Sequence, residues 1–179
     1  AFHAAVAAVQ AAAVLPSYLP APGSGRLIVV GAGKAAAAMA ACLETQRPEA
    51  DLAGLVITRH GHGVATRHIE VVEAGHPLPD RSGSEAAQRL LDLVGGAGPD
   101  DHVLALISGG GSSLLSLPVA GISLAELQTV TGAMLKSGAP IDDINVVRKH
   151  LTRTLGGQLA AACRAPVTAL LISDVAGDD

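Results

Sequence analysis

The chain has 179 residues, 49% of them hydrophobic and 16% charged, so it has the apolar content to bury a core and does not read as disordered. Its longest uninterrupted apolar run, Ala35 to Leu43, is nine residues, about half of what a bilayer-crossing helix needs. One Phe, one Tyr and no Trp leave almost nothing on which to stack bases, and a formal net charge of -4 gives no global attraction to nucleic acid or an anionic membrane.

Ala4 to Leu15 is rich in helix formers and stops at Pro16, and the Pro- and Gly-rich stretch to Gly25 is a connector, so residues 1–25 form a leading segment. A strand over Leu27 to Val30 is followed by a tight glycine turn and a helix over Lys34 to Gln46. Leu55 to Thr58 and Ile69 to Val72 are predicted strands, Ser84 to Val94 a helix and Val103 to Ile107 a strand. Ser123, with Glu126 at capping-box spacing, opens a helix over Leu124 to Leu135. Helices over Asp142 to Thr154 and Gln158 to Arg164 precede a last strand, Val167 to Ile172. Strands apolar on both faces that alternate with helices specify an α/β fold, a mainly parallel sheet covered on both sides. Residues 1–179 read as one domain. The chain lacks an initiator Met and ends at Ala176 to Asp179 directly after an apolar strand, which reads as a fragment truncated at its C-terminal end. Cys42 and Cys163 form no disulfide framework, and no secretory signal opens the chain, so the reducing cytoplasm is the expected compartment.

Ligands of open parallel sheets bind beyond the carboxyl ends of the strands. Gly31-Ala32-Gly33-Lys34-Ala35-Ala36 follows a strand and opens a helix, where main-chain amides suit a phosphate or carboxylate. It fits G-x-G-x-x-A, but the second strand ends Thr58-Arg59-His60 without the acid that holds a ribose, so only an NADP-type variant of the dinucleotide reading survives. Lys34 opposes the dipole of the helix it opens, a placement of about 0.3 to 1 kcal/mol that an anionic ligand would offset. Only three of twelve basic residues are lysines, which makes its place informative.

Ser108-Gly109-Gly110-Gly111-Ser112-Ser113 packs three glycines between serines behind a strand, suited to wrapping an anion, and lacks the G-x-S-x-G pattern of a serine nucleophile. His60, His62 and His68 have no Cys or carboxylate at ligand spacing, so the glycine-bordered turn turns one imidazole to the cleft. His76-Pro77-Leu78-Pro79-Asp80 is a rigid turn in which Asp80 or Ser82 caps the next helix. Asn145, Arg148 and Lys149 share one helix face at i+3 and i+4, offering an amide and two cations, with a solvated basic face as the rival reading. Asp174 and Asp178 follow the last strand, a position suited to carboxylates that hold Mg²⁺. The set is the inventory of phosphoryl transfer.

VGAGKA at 30–35, GHG at 61–63, HPLPD at 76–80, SGGGSS at 108–113, INVVRKHL at 144–151 with GGQLA at 156–160, and ISDVAGDD at 172–179 stand in the order of the bacterial glycerate 2-kinases. The chain resembles the amino-terminal, Rossmann-like domain of these two-domain enzymes, whose second domain is called MOFRL and some of which are labelled hydroxypyruvate reductases. The resemblance implies ATP-dependent phosphorylation of D-glycerate to 2-phosphoglycerate with Mg²⁺ and a MOFRL domain in cis, with a homodimer left open. It makes Lys34 the catalytic lysine and Gly31, Gly33, His62, Ser108, Gly109, Gly110, Gly111, Ser112, Ser113, Asn145, Arg148 and Lys149 the residues that bind substrate and nucleotide. Asp174 and Asp178 become the metal carboxylates. The pattern is broken at Leu155, where a lysine often precedes the Gly-Gly pair. The alternatives are an NADP-dependent hydroxypyruvate reductase and a non-catalytic anion-binding domain.

Overall fold

A computed structural model describes residues 1–21, 23 and 25–173. Five strands form one sheet: β1 (Leu27–Ala32), β2 (Leu52–Arg59), β3 (Ile69–Ala74), β4 (His102–Ser108) and β5 (Val167–Ile172). Their order is β3-β2-β1-β4-β5 and every pairing is parallel, as the doubly apolar strands require. Gly31 of the central strand pairs with Val56 on one side and Leu106 on the other. It has to be glycine, because a Cβ there would stand 2.4 Å from the Leu106 carbonyl oxygen.

The strands alternate their side chains between two cores. Val29, Val56, Leu104 and Leu106 point to the face covered by α3 (Ala36–Gln46), where Met39, Ala40 and Leu43 are buried. Small alanines let this helix lie close on the sheet. Ile28, Val30, Leu55 and Ile57 point to the opposite face, against Ala86, Ala87, Leu90 and Val94 of α4 (Arg81–Gly95). Asp80 caps α4 by accepting a 2.8 Å hydrogen bond from the Gly83 amide. A single-turn helix, α5 (Gly111–Leu114), follows β4 directly. It gives way to a helical pair, α6 (Leu124–Ser137) and α7 (Ile141–Leu151). The predicted capping box of α6 is present: Ser123 Oγ accepts from the Glu126 amide at 3.2 Å, and Glu126 Oε2 accepts from the Ser123 amide at 2.7 Å. Main-chain bonds from Val119 to Leu151 and from Arg153 to Leu117 fasten the base of the pair, and Gln128 donates to the Pro79 carbonyl.

Four expected helices come out shorter: α3 starts at Ala36 rather than Lys34, α7 ends at Leu151 rather than Thr154, and two others lose more. The leading segment divides into α1 (Phe2–Ala8), α2 (Ala11–Val14) and a 3₁₀ turn over Leu15–Tyr18. The extended backbone of Gln10 makes the break, which lets Ala11 and Leu15 turn into the core beside α3 while α1 buries nothing. Helix α8 spans only Gln158–Ala161 and is capped at Ala162. Leu155 packs against the α4-side core, which accounts for an apolar residue at that place.

Candidate functional site

The strand order reverses direction between β1 and β4: the chain leaves β1 toward β2 and leaves β4 toward β5. The two loops therefore part above the sheet and open a crevice at its carboxyl edge. Gly33 lies at φ 139°, and a Cβ on it would stand 2.1 Å from Ser108 Oγ, so only glycine lets the loops come this close. The Lys34 amide donates to the Gly109 carbonyl at 2.9 Å, and the Ala35 amide donates to Ser108 Oγ at 2.9 Å. Helix α3 begins at Ala36, with Ala35 as its N-cap, so Lys34 stands one residue before the cap rather than inside the first turn. The Lys34 carbonyl accepts from Thr58 Oγ1 at 3.4 Å and from His62 Nδ1 at 3.2 Å. The lysine's main chain is thus anchored to β2, to β4 and to the turn that follows β2.

Gly110 adopts φ 87°, in the left-handed region. A Cβ there would meet His76 Nε2 at 2.7 Å and Lys34 Cε at 3.5 Å. The glycine is therefore the floor on which the imidazole and the lysine side chain converge. His76 is placed by the turn after β3: Asp80 Oδ2 accepts from the Gly75 amide at 2.8 Å and bonds His60 Nε2 at 3.2 Å. The His76–Pro77 peptide is cis.

Among the described residues, the charges that shift this imidazole's pKa are of one sign. Burial pushes its pKa below the ordinary histidine range, and the positive charges of Lys34, Arg59 and Arg148 push it further. Arg148 enters from α7; it is buried, its pKa is lowered by loss of solvent, and its side chain bonds Asn145 Oδ1 at 3.4 Å. Lys34 and the imidazole meet over Gly110, and the charges of Arg59 and Arg148 are near enough to be felt there. Such an arrangement attracts a carboxylate or a phosphate and offers a nitrogen lone pair beside it.

Lys34, Gly110, Arg148 and the partly buried Asn145 come together here. Gly31 lies inside β1, and Ser108 uses its hydroxyl as a tether to Ala35. Gly33 and Gly109 set the approach of the two loops, and His62 holds the Lys34 main chain. Gly111 starts α5 with its Cα turned toward the Ala32 carbonyl, while Ser113 donates to the Gly110 carbonyl at 3.0 Å. Ser112 borders an apolar hollow with Leu155 and Cys163. Lys149 is exposed and lies beside Gly156, apart from Arg148. Asp174 and Asp178 fall outside the described residues. Among the described residues no cluster of His, Cys, Asp or Glu is arranged to hold a metal, and no helix is long and apolar enough to cross a membrane. His76, Arg59 and Asp80 belong to the site although sequence reasoning assigned them no place in it. The signal was the HPLPD motif, read there as a turn.

Residues 1–179 match the family described as "Domain of unknown function (DUF4147)". The chain is 50% identical over 179 residues to an Agrobacterium vitis protein provisionally named a hydroxypyruvate reductase, covering 99% of this chain and 41% of that one. It is 45% identical over 162 residues to a D-glycerate 2-kinase of Thermotoga maritima, covering 89% of this chain and 39% of the relative. The crystal structure of a glycerate kinase from Thermotoga maritima superposes with a TM-score of 0.86 at 41% identity, over 99% of this chain and 43% of the other. The chain thus spans about two-fifths of the length of these relatives.

Proposed function

This chain belongs to the DUF4147 family, and from that premise we propose that its cationic crevice serves the ATP-dependent phosphorylation of D-glycerate to 2-phosphoglycerate. The observation that carries the reading is the convergence of Lys34 and His76 over Gly110, within reach of the charges of Arg59 and Arg148. Glycerate presents a carboxylate next to its 2-hydroxyl, and ATP presents a chain of phosphates. Both need positive charge fixed before they arrive, because charge placed in advance stabilises a transferring phosphoryl group without reorganisation. Gly110 supports the fit, since the space that a side chain would fill is bounded by the lysine and the imidazole. Lys34 is assigned to the phosphoryl group and Arg148 to a carboxylate or phosphate, with Asn145 steadying its guanidinium. Mg²⁺, held by Asp174 and Asp178, would offset charge on the nucleotide.

A relative's name favours a second reading, reduction of hydroxypyruvate with NADPH. The glycine fingerprint serves it poorly. Gly31 and Ala32 are strand residues, and Gly31 is spent on close approach to Leu106, whereas a pyrophosphate needs both glycines in the turn. The test runs two assays on the full-length protein: glycerate-dependent release of ADP from Mg-ATP, and oxidation of NADPH by hydroxypyruvate. ADP release alone supports the kinase. NADPH oxidation alone overturns it.

A further inference from the structure

In that reaction the cations of the crevice hold charge, and its imidazole has no task yet. Among the described residues, His60 is bonded to Asp80 and His62 to the Lys34 carbonyl, so both ring contacts serve the walls. His76 is different. Its Nε2 lies where a side chain on Gly110 would lie, beside the methylenes of Lys34. Its main chain is fixed on both sides of the Gly75–Asp80 turn, since one carboxylate oxygen of Asp80 takes the Gly75 amide and the other takes the Gly83 amide that begins α4.

We propose that His76 Nε2 is the base that takes the proton from the glycerate 2-hydroxyl during phosphoryl transfer. The inference rests on the kinase reading and gives that site its proton acceptor. The carboxylate and the 2-hydroxyl of glycerate sit on adjacent carbons, so a carboxylate drawn to the cations delivers that hydroxyl to the imidazole they surround. In the step, the hydroxyl O–H bond breaks and its proton moves to Nε2. The oxygen's electron pair forms the new bond to the γ-phosphorus, the bond from that phosphorus to the bridging oxygen breaks, and its electrons leave on ADP. The imidazolium then returns its proton to water. The groups facing the ring are Lys34 before α3, Arg59 at the end of β2 and Arg148 on α7, with Asp80 and His60 behind Gly75. Three cations disfavour a fourth positive charge, which keeps the base free at neutral pH and drives the proton off again after transfer.

The test is the pH dependence of kcat/KM for glycerate in the full-length enzyme, whose acid limb reports the free enzyme's base. Expected for the wild type is an acid limb below the ordinary histidine range that coincides with the titration midpoint of the assigned His76 imidazole, followed by NMR. His76→Gln should lose that limb and drop kcat/KM by about a hundredfold or more, through kcat rather than the KM for glycerate. An unchanged limb in His76→Gln overturns the inference while leaving the kinase reading intact. If the variant does not fold, a wild-type acid limb that departs from the NMR midpoint overturns it equally. A wild type that releases no ADP with glycerate overturns both.

Discussion

Strands β1 and β4 lie side by side, and their two ends are fastened in opposite ways. At the amino end, Arg26 and Asp101 precede the two strands and close a two-pronged ion pair, at 3.2 and 2.9 Å, that holds the Asp101 carboxyl down at about 2. Nearby on the edge, Arg89 grips Glu70, and each raises or lowers the other's pKa in the expected sense. Arg26 and Arg89 each have a carboxylate, and Arg47 donates to the Pro20 carbonyl at 2.7 Å. At the carboxyl end the fastening is main chain to main chain and to Ser108, while Arg148 is buried with an amide oxygen for company and its pKa is lowered by desolvation. The amino end is built for stability and the carboxyl end holds charge at a cost. That asymmetry locates function more firmly than any single residue does.

The sharpest way to break the comparison is at Lys34. Lys34→Ala in the full-length enzyme should lower kcat by about a hundred- to a thousandfold, the size expected when one electrostatic stabiliser of a transition state is lost, with a smaller change in the KM for glycerate. The matching change at the other end, Arg26→Ala, should leave kcat within about twofold. Steady-state kinetics on both variants check the pair, and equal losses would show that the two ends are not functionally distinct.

Arg148 divides stability from binding. Among the described residues Arg148 bonds an amide oxygen and no carboxylate, and exchanging a buried charge for a well-packed apolar side chain of similar volume is often neutral or stabilising. Arg148→Met should therefore raise the melting temperature or leave it unchanged, while the KM for glycerate rises by about tenfold or more, equivalent to roughly 1.4 kcal/mol. A melting temperature that falls steeply would make Arg148 a structural residue like Arg26.

How much of this was legible in the sequence follows from the range of the signals. The strands were, because doubly apolar runs bounded by glycine need only local reading, and their alternation with helices specified a mainly parallel sheet; the order in which they pair was not read from the sequence. Lys34 was legible as a cation placed against a helix dipole, although the helix starts two residues later than expected. The helical face at 145, 148 and 149 was legible only as a face. Periodicity cannot tell which of two adjacent cations turns inward, and burial selects Arg148 while Lys149 stays exposed. His76 was hidden for a different reason: its meaning depends on Gly110 and Lys34, which reach it from loops far apart in the chain. The break at Gln10 was hidden because alanine's helix preference, a few tenths of a kcal/mol per residue, yields to the docking of Ala11 and Leu15 on α3.

Two glycines sharpen the comparison by a smaller effect. Gly110 at φ 87° and Gly121 at φ 88° share the left-handed conformation, yet a Cβ on Gly121 would meet nothing within 4 Å. Each substitution to alanine should cost about 1 to 2 kcal/mol for the strained backbone. Only Gly110→Ala also pushes against the imidazole and the lysine, so it alone should lower kcat/KM, by about tenfold. Chemical denaturation and kinetics on both variants separate strain from site. Equal activities would mean that the Gly110 loop is only a connector.

The smallest effect lies at the amino end and is a matter of pH. Asp101 has its carboxyl lowered from 3.8 to about 2, first by the Arg26 side chain and then by the Gly98 amide. A carboxyl depressed in the folded state stabilises the fold above its unfolded value, and that contribution disappears as pH falls through the folded value. Wild-type stability should therefore decline between about pH 4 and pH 2 with a component that belongs to this pair. In Arg26→Gln the guanidinium is gone and the Gly98 amide remains, so the carboxyl climbs partway back and the decline over the same window becomes shallower. At neutral pH the variant should be slightly less stable, because the pair is partly exposed and screened by salt. Thermal unfolding at low ionic strength, measured in steps from pH 5 to pH 2, reads both differences. Parallel curves for the two proteins would remove the ion pair from the account of the amino end and leave the backbone ladder between β1 and β4 as its fastening.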